Sequence, residues 1–246
     1  MLVTPLSAAD IAFVRSLVIH EDRDVIVFAK PAGLSSQGGR IAASTLDDLM
    51  AAFAKPSGAR PRLVHRLDRD TSGVILAARS QPAAAFLGKA MMARRIYKTY
   101  LAIVAPGAPA LRAGLIDRPL RRELQGREAY VRVCEAGREG AQSASTRFRT
   151  LASNETAALV ELTPRTGRMH QLRVHMASIG HPIAGDPRYG GALMLGGLAV
   201  PRLMLHALTL RFPHPAGGET TITAPVPADL ALLLSNLCLG GGGGGR

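Results

Sequence analysis

The residue types and spacing best suited to chemistry lie at residues 65–70, where the sequence His-Arg-Leu-Asp-Arg-Asp places the carboxylate of Asp68 between two arginines. A guanidinium within about 4–6 Å of a carboxylate favours its ionised form, so we expect Asp68 to be charged at neutral pH. A charged carboxylate can act as a nucleophile or a base, while neighbouring guanidinium groups can bind phosphate oxygens in bidentate geometry. The alternative interpretation is a solvated ion pair in a turn, worth about 0–1 kcal/mol.

The chain carries a large excess of positive charge, with 30 Lys and Arg against 18 Asp and Glu, a net charge of +12 and a pI near 10.9. A protein of this charge attracts nucleic acid, because its cations neutralise phosphates and release counterions. An anionic membrane surface is a weaker possibility, since no basic amphipathic helix with an aromatic face is present. The composition therefore indicates a nucleic-acid partner.

Other features of the 246-residue chain limit its class and its location. Its two cysteines are too few for a disulfide framework or a zinc site, and they indicate a reducing compartment. The first ten residues have no signal-peptide pattern, and no apolar run reaches the 18 residues that a membrane span requires. We therefore expect a cytoplasmic protein without disulfides and without a bound metal.

Hydrophobic periodicity predicts more strands than helices, which favours a mixed, mostly antiparallel α+β domain. Strands are predicted at residues 24–30, 72–78, 98–104, 144–151, 157–162, 203–212 and 219–223. Helices are predicted at residues 45–53, 82–95 and 227–239. We interpret residues 111–127 as an irregular, exposed basic arm, residues 19–239 as a single domain after an N-terminal segment at 1–18, and the glycine-rich residues 240–246 as a disordered tail.

A further helix is predicted between Thr166, which suits an N-cap, and Gly180, which suits the position just beyond a helix C-terminus. Its apolar stripe consists of Met169, Leu172, Met176 and Ile179. His170 and Arg173 are three residues apart and share a face beside this stripe. The pattern predicts that both side chains point into a cleft.

Four segments of the chain, in this order, resemble the RluA family of RNA pseudouridine synthases: residues 21–33, 64–74, 98–104 and 166–186. The resemblance implies isomerisation of a uridine in RNA, in which the base is flipped out, detached from C1′, rotated and rejoined through C5. It also implies the α+β pseudouridine synthase fold around a central RNA-binding cleft. Neither a metal nor an organic cofactor is expected in this family.

The resemblance also assigns roles to individual residues. Asp68 matches the catalytic aspartate, which attacks either C6 of the uracil or C1′ of the ribose, and the choice between these carbons stays open. Tyr100 matches the tyrosine expected to pack on the flipped uracil, and Arg173 matches the arginine paired with the aspartate. Arg66 matches the residue that occupies the place vacated by the flipped nucleotide. Lys30 and Gly33 are expected to shape a loop near the cleft.

The match to the family begins near residue 20, so we expect no N-terminal RNA-binding module of the S4 type. RNA docking is then expected to rest on the catalytic domain, with an rRNA or tRNA stem-loop as the partner of a monomeric protein. Besides Arg66, the candidates for RNA contacts are Arg69, Arg94, Arg95, Arg121, Arg122, Arg165, Arg168 and His170. Of these, Arg165 and Arg168 are expected at a helix N-terminus, where phosphate binds readily.

The competing hypothesis is a non-catalytic RNA-binding or ribosome-assembly factor that uses the same fold for docking. Such a factor would bind RNA and form no product. The joint presence of Asp68, Tyr100 and Arg173 favours an enzyme, because a binding module has no need for an arginine-paired carboxylate in its cleft.

Residue spacing disfavours both a metal centre and a protein-kinase site. A metal cluster of His65, His170 and His175 would depart from helical zinc sites, since the last two are five residues apart instead of four. A protein-kinase catalytic loop around His65 and Arg66 would require an Asp-x-x-x-x-Asn continuation and a glycine-rich nucleotide loop, and both are missing.

Overall fold

The computed structural model of the protein describes residues 6–38, 44–126 and 128–239. These residues divide into two compact units, the first formed by residues 6–38, 44–97 and 207–225 and the second by residues 98–126, 128–206 and 226–239. The predicted tail at residues 240–246 lies outside the described residues. In the part of the chain that the structure describes, no helix has the length and the apolar character needed to cross a membrane.

Short helices and a larger number of strands make up both units. The helices are α1 (Ala8–Ser16), α2 (Leu46–Leu49, continued by the 3-10 turn Met50–Phe53), α3 (Gln81–Met92), α4 (Gln171–Ser178) and α5 (Ala228–Asn236). The strands are β1 (Val18–Glu21), β2 (Val25–Lys30), β3 (Arg62–Leu63), β4 (Ser72–Ala78), β5 (Tyr97–Val104), β6 (Ala113–Asp117), β7 (Leu120–Gln125), β8 (Glu128–Val133), β9 (Ser145–Ser153), β10 (Ala158–Pro164), β11 (Met194–Leu195), β12 (Leu198–Ala199), β13 (Leu205–Pro213) and β14 (Glu219–Thr223). The predicted α+β class is confirmed.

The first unit is built on a sheet in which the strands follow the order β1-β2-β4-β13, with β14 beside β13. Strand β4 is buried along its whole length, as its near-continuous apolar run predicts. It pairs antiparallel with β2, and Lys30 lies opposite Gly73. Gly73 has φ +119°, and a Cβ atom there would come within 2.1 Å of the carbonyl oxygen of Ala207. Only glycine therefore allows β4 and β13 to approach this closely.

The second unit contains an antiparallel sheet in the order β5-β10-β9-β6, together with the two-stranded ribbon β7–β8. In the sheet, Tyr100 of β5 lies opposite Leu162 of β10. Helix α4 packs against the ribbon strand β8 and against β10. Leu120 and Val131 of the ribbon are buried together with Val174 of α4. The ribbon is thus attached to the helix that carries Arg173.

The prediction of an irregular basic arm at residues 111–127 is wrong, because β6 and β7 both lie there. Strand β6 pairs with β9, and β7 pairs with β8 so that Arg121 lies opposite Arg132. Glu123 forms ion pairs with both arginines, at 2.8 Å and 3.3 Å. Cross-strand charge compensation therefore allows a basic segment to form a strand, and this compensation depends on a partner strand that follows in the sequence.

Helix α4 begins at Gln171 and not directly after Thr166, so the predicted N-cap is wrong. The Thr166 hydroxyl instead donates to Oε1 of Gln171 at 2.7 Å and accepts from the N–H of Ser145 at 3.0 Å. His170 precedes the helix in the left-handed conformation, with φ 52°. At the other end, Gly180 has φ +82° just beyond the C-cap residue, which confirms its predicted position.

Candidate active site

Asp68 lies in a turn of the first unit whose flanking residues are fixed by hydrogen bonds to the main chain. On one side, the N–H of Leu67 donates to Oγ of Ser36 at 3.0 Å, and this hydroxyl donates to the carbonyl oxygen of Leu67 at 2.7 Å. On the other side, the carbonyl oxygen of Arg69 accepts from the N–H of Gly33 at 2.9 Å. The main chain therefore sets the position of the half-buried Asp68.

Lys30 joins this turn to the segment that follows β2. Its side chain is buried, and its ammonium group donates to the carbonyl oxygens of Pro31 at 2.9 Å, Leu34 at 2.7 Å and Arg69 at 3.0 Å. A buried ammonium is stable only when such acceptors replace its lost hydration. Lys30 and Gly33 thus connect the loop after β2 to the turn of Asp68, and the expectation that this loop lies near the cleft stays a prediction.

In the second unit, Arg173 of α4 forms a bidentate ion pair with Asp186. Nε of Arg173 donates to Oδ2 at 2.7 Å and Nη2 donates to Oδ1 at 2.7 Å. Both residues are buried, and the carboxylate of Asp186 is completely inaccessible. The guanidinium carbon also lies 5.0 Å from the centre of the Tyr189 ring. The ion pair with Asp186 therefore fixes the guanidinium in its plane, and the ring of Tyr189 packs against one of its faces.

Tyr100 occupies the middle of β5 and is buried. Lys98 lies two residues earlier in the same strand, so its side chain leaves the strand on the same face as Tyr100. Burial lowers the pKa of the Lys98 ammonium from its ordinary value to about 8. The composition of the strand did not point to this lysine, because the shift arises from its surroundings in the folded protein.

The histidines considered for a metal cluster take part in local hydrogen bonds. Nε2 of His65 accepts from the N–H of Leu76 at 3.2 Å, and Nδ1 of His175 lies 2.8 Å from the hydroxyl of Thr146. Burial lowers the pKa of His175, which favours a neutral ring. Among residues 6–38, 44–126 and 128–239, no group of three or more His, Cys, Asp or Glu side chains is placed to bind a metal ion.

The arginines predicted to bind RNA are distributed over both units. Exposed side chains belong to Arg66, Arg69, Arg94 and Arg95 in the first unit, and to Arg122, Arg165 and Arg168 in the second. Arg121 is half-buried beside Glu123, and His170 is half-buried with its Nδ1 2.8 Å from the hydroxyl of Tyr189. Because α4 starts at Gln171, Arg165 and Arg168 lie in the preceding loop, so their predicted place at a helix N-terminus is wrong.

The structure also contains functional candidates that the sequence did not indicate. Asp186 and Tyr189 contact Arg173 directly, yet neither was predicted to belong to the site. The run 185–191 (Gly-Asp-Pro-Arg-Tyr-Gly-Gly) carried a signal, because a carboxylate flanked by glycines marks a turn with a close backbone approach. Its partner Arg173 lies thirteen residues earlier in the sequence, and only the folded chain brings the two together.

Comparison with known proteins agrees with this fold. The profile of the RNA pseudouridylate synthase family matches residues 24–178. The ribosomal large subunit pseudouridine synthase C of Escherichia coli strain K12 is 37% identical over 235 residues, which cover 92% of this chain and 72% of the relative. An uncharacterized RNA pseudouridine synthase of Bacillus subtilis strain 168 is 37% identical over 227 residues, which cover 90% of this chain and 70% of that protein.

A solved structure is similar over nearly the whole chain. The human RNA pseudouridylate synthase domain containing 4 protein aligns with a TM-score of 0.79 at 28% identity, over 95% of this chain and 98% of the human one. The chain therefore belongs to the RNA pseudouridylate synthase family. The resemblance seen in the sequence is confirmed, and so is the prediction of an enzyme that isomerises uridine in RNA.

Proposed function

We propose that this protein converts uridine to pseudouridine in structured ribosomal or transfer RNA, with Asp68 as the catalytic nucleophile. The observation that carries the proposal is the turn of Asp68, which hydrogen bonds from Ser36, Gly33 and Lys30 fix on both sides of the aspartate. A nucleophile must be held close to its reactive geometry to be effective. Membership of the family supports the reaction, and the name of the Escherichia coli relative supports ribosomal RNA as the substrate.

In the proposed reaction, the carboxylate of Asp68 bonds either to C6 of the uracil or to C1′ of the ribose. The bond between C1′ and N1 breaks, the base rotates, and a new bond joins C1′ to C5. The bond to Asp68 breaks, which regenerates the carboxylate, the proton on C5 is removed and N1 gains a proton, so that substrate and product are isomers. Arg173 is proposed to orient the carboxylate of Asp68, and Tyr100 is proposed to pack on the uracil.

Access to the base requires the nucleotide to leave its stack, which costs a few kcal/mol. Arg66 is the residue proposed to fill the gap, because its side chain is exposed and lies two residues before Asp68. The arginines that the sequence analysis named as RNA contacts are proposed to bind the phosphates. The protein is further proposed to act as a cytoplasmic monomer.

The direct test is pseudouridine mapping of ribosomal and transfer RNA transcripts incubated with the wild-type protein and with Asp68→Asn. We expect the variant to lose about 10³-fold or more in single-turnover rate, while its Kd for RNA changes less than about threefold. Asp70→Asn is the matched control, since Asp70 is an exposed carboxylate two residues away, and it should retain the wild-type rate. A wild-type protein that binds RNA and forms no pseudouridine would support the non-catalytic hypothesis.

The basic ribbon provides a separate test of RNA docking. Neutralising Arg121 and Arg122 to Gln should weaken RNA binding and reduce the slope of log K against log salt by about one to two, because fewer phosphates are neutralised. Arg149→Gln is the control, since Arg149 is an exposed arginine of β9 in the same unit and is not one of the proposed RNA contacts. Equal losses of affinity from Asp68→Asn and from the ribbon variant would contradict this division of roles.

A further inference from the structure

We propose that Asp186 is a positioning residue that orients Arg173 for the reaction, an inference that rests on the proposed function of Arg173. The two side chains meet edge to edge through two hydrogen bonds of 2.7 Å. A bidentate pair of this kind sets the plane of a guanidinium as well as its position. Nε and Nη2 of Arg173 both contact Asp186, so this pair fixes the orientation of the whole guanidinium group.

The loop around Asp186 fixes the carboxylate independently of Arg173. Oδ1 of Asp186 also accepts from the N–H of Arg188 at 3.0 Å and from the N–H of Tyr189 at 3.2 Å. A Cβ atom at Gly185 would come within 1.8 Å of the carbonyl oxygen of Arg202, and one at Gly191 would come within 1.9 Å of the carbonyl oxygen of Ile183. The chain therefore passes through two positions that only glycine fits, and these determine where the carboxylate points.

Tyr189 completes the arrangement from the face of the guanidinium. Its ring centre lies 5.0 Å from the guanidinium carbon of Arg173, and its hydroxyl accepts from the N–H of Val131 at 3.1 Å. The same hydroxyl lies 2.8 Å from Nδ1 of His170, a residue in the left-handed conformation. Burial raises the pKa of Tyr189, so the phenol stays neutral and can donate to the imidazole. The guanidinium is thus enclosed by a carboxylate in its plane and a ring on its face.

The geometry points to a role in orientation and not in RNA binding. Asp186 is completely buried, so it does not contact RNA. It matches the charge of Arg173 inside the second unit, which allows a buried guanidinium to be held in one orientation before any substrate binds. Loss of one carboxylate oxygen should therefore slow the chemical step and leave RNA affinity unchanged.

The test is a double-mutant cycle on the single-turnover rate, measured with saturating RNA at a temperature where every variant is folded. Asp186→Asn keeps an acceptor for the main-chain N–H groups and loses the bidentate contact, and we expect its rate to fall about 10²-fold with a Kd for RNA within about threefold of wild type. Arg173→Lys should fall by a similar factor. The double variant should be no slower than the slower single variant, because both changes remove the same oriented guanidinium.

Two further variants keep the test decisive. Tyr189→Phe retains the ring and removes only the hydroxyl, so it should fold and lose about three- to tenfold in rate. Glu161→Gln breaks the exposed pair with Arg149 in the same unit and should keep the wild-type rate. A full rate in both Asp186→Asn and Tyr189→Phe, or multiplicative losses in the double variant, would overturn the role of Asp186. Activity retained in Asp68→Asn would instead refute the proposed function itself.

Discussion

Each of the two units contains one lysine whose ammonium group is removed from water. The two ammonium groups differ in how their lost hydration is replaced. In the first unit, Lys30 donates to three carbonyl oxygens, among them that of Arg69 beside the proposed nucleophile. In the second unit, burial alone lowers the pKa of Lys98 to about 8. A buried cation therefore stabilises a fold when main-chain acceptors surround it, and it destabilises the fold when its desolvation is uncompensated.

Two of the proposed catalytic residues, Asp68 and Arg173, also differ in the contacts that hold them in place. The turn of Asp68 is fixed by bonds to main-chain atoms of Leu67 and Arg69, and Nε of Arg69 adds a bond to the carbonyl oxygen of Gly33 at 3.0 Å. Arg173 is fixed by the side chains of Asp186 and Tyr189. Substitutions at exposed positions near Asp68 should thus affect RNA binding, whereas substitutions near Arg173 should affect orientation and rate.

The largest effect is expected from Lys30→Met. Methionine fills a similar volume but provides no donor, so the carbonyl oxygens of Pro31, Leu34 and Arg69 each lose the hydrogen bond from the ammonium, at a cost of about 1–3 kcal/mol for an acceptor left unsatisfied. We expect the free energy of unfolding to fall by about 3–5 kcal/mol, as measured by urea denaturation. The rate of pseudouridine formation should fall as well, because the main chain at Arg69 loses one of its two anchors.

Lys89→Met is the matched control for Lys30→Met. Lys89 lies in α3 of the same unit, and its side chain is exposed to solvent. Its replacement should change the free energy of unfolding by less than about 0.5 kcal/mol. If Lys30→Met were as stable as this control, the ammonium would not be the group that supports the turn. The contrast between Lys30 and Lys98 would then disappear.

Sequence patterns predicted those parts of the fold that depend on local periodicity. The buried strand β4 and the strand β14 were predicted with their observed bounds, since each has an uninterrupted pattern between clear turn signals. Of the three proposed catalytic residues, the local sequence alone singled out Asp68, through the arginines on either side of it. Tyr100 and Arg173 were assigned through the resemblance to the RluA family.

The errors arose where a structure depends on partners distant in the sequence. The segment before residue 127 forms strands because β9 and β8 pair with it, and its basic character hid this pairing. Helix α4 starts late because the hydroxyl of Thr166 bonds to Gln171 and to Ser145 of β9. Asp186 was missed for the same reason, since its importance comes from the arginine that it contacts in the folded chain.

The smallest effect is expected from Lys98→Met, and it should have the opposite sign to that of Lys30→Met. Since the pKa of Lys98 in the folded protein is about 8, the folded state loses this proton between pH 8 and the ordinary lysine value near 10.4, while the unfolded chain keeps it. The unfolded state then binds more protons, so this group makes the free energy of unfolding rise with pH across that window, by about 1–3 kcal/mol. Lys98→Met should remove this rise and should stabilise the protein at pH 7 by a similar amount. Urea denaturation of both proteins at about pH 7, 8, 9 and 10 measures the difference in the free energy of unfolding, with Lys89→Met as the control. If the free energies of wild type and Lys98→Met changed in parallel over the whole pH range, the desolvation of the Lys98 ammonium would be compensated by other contacts.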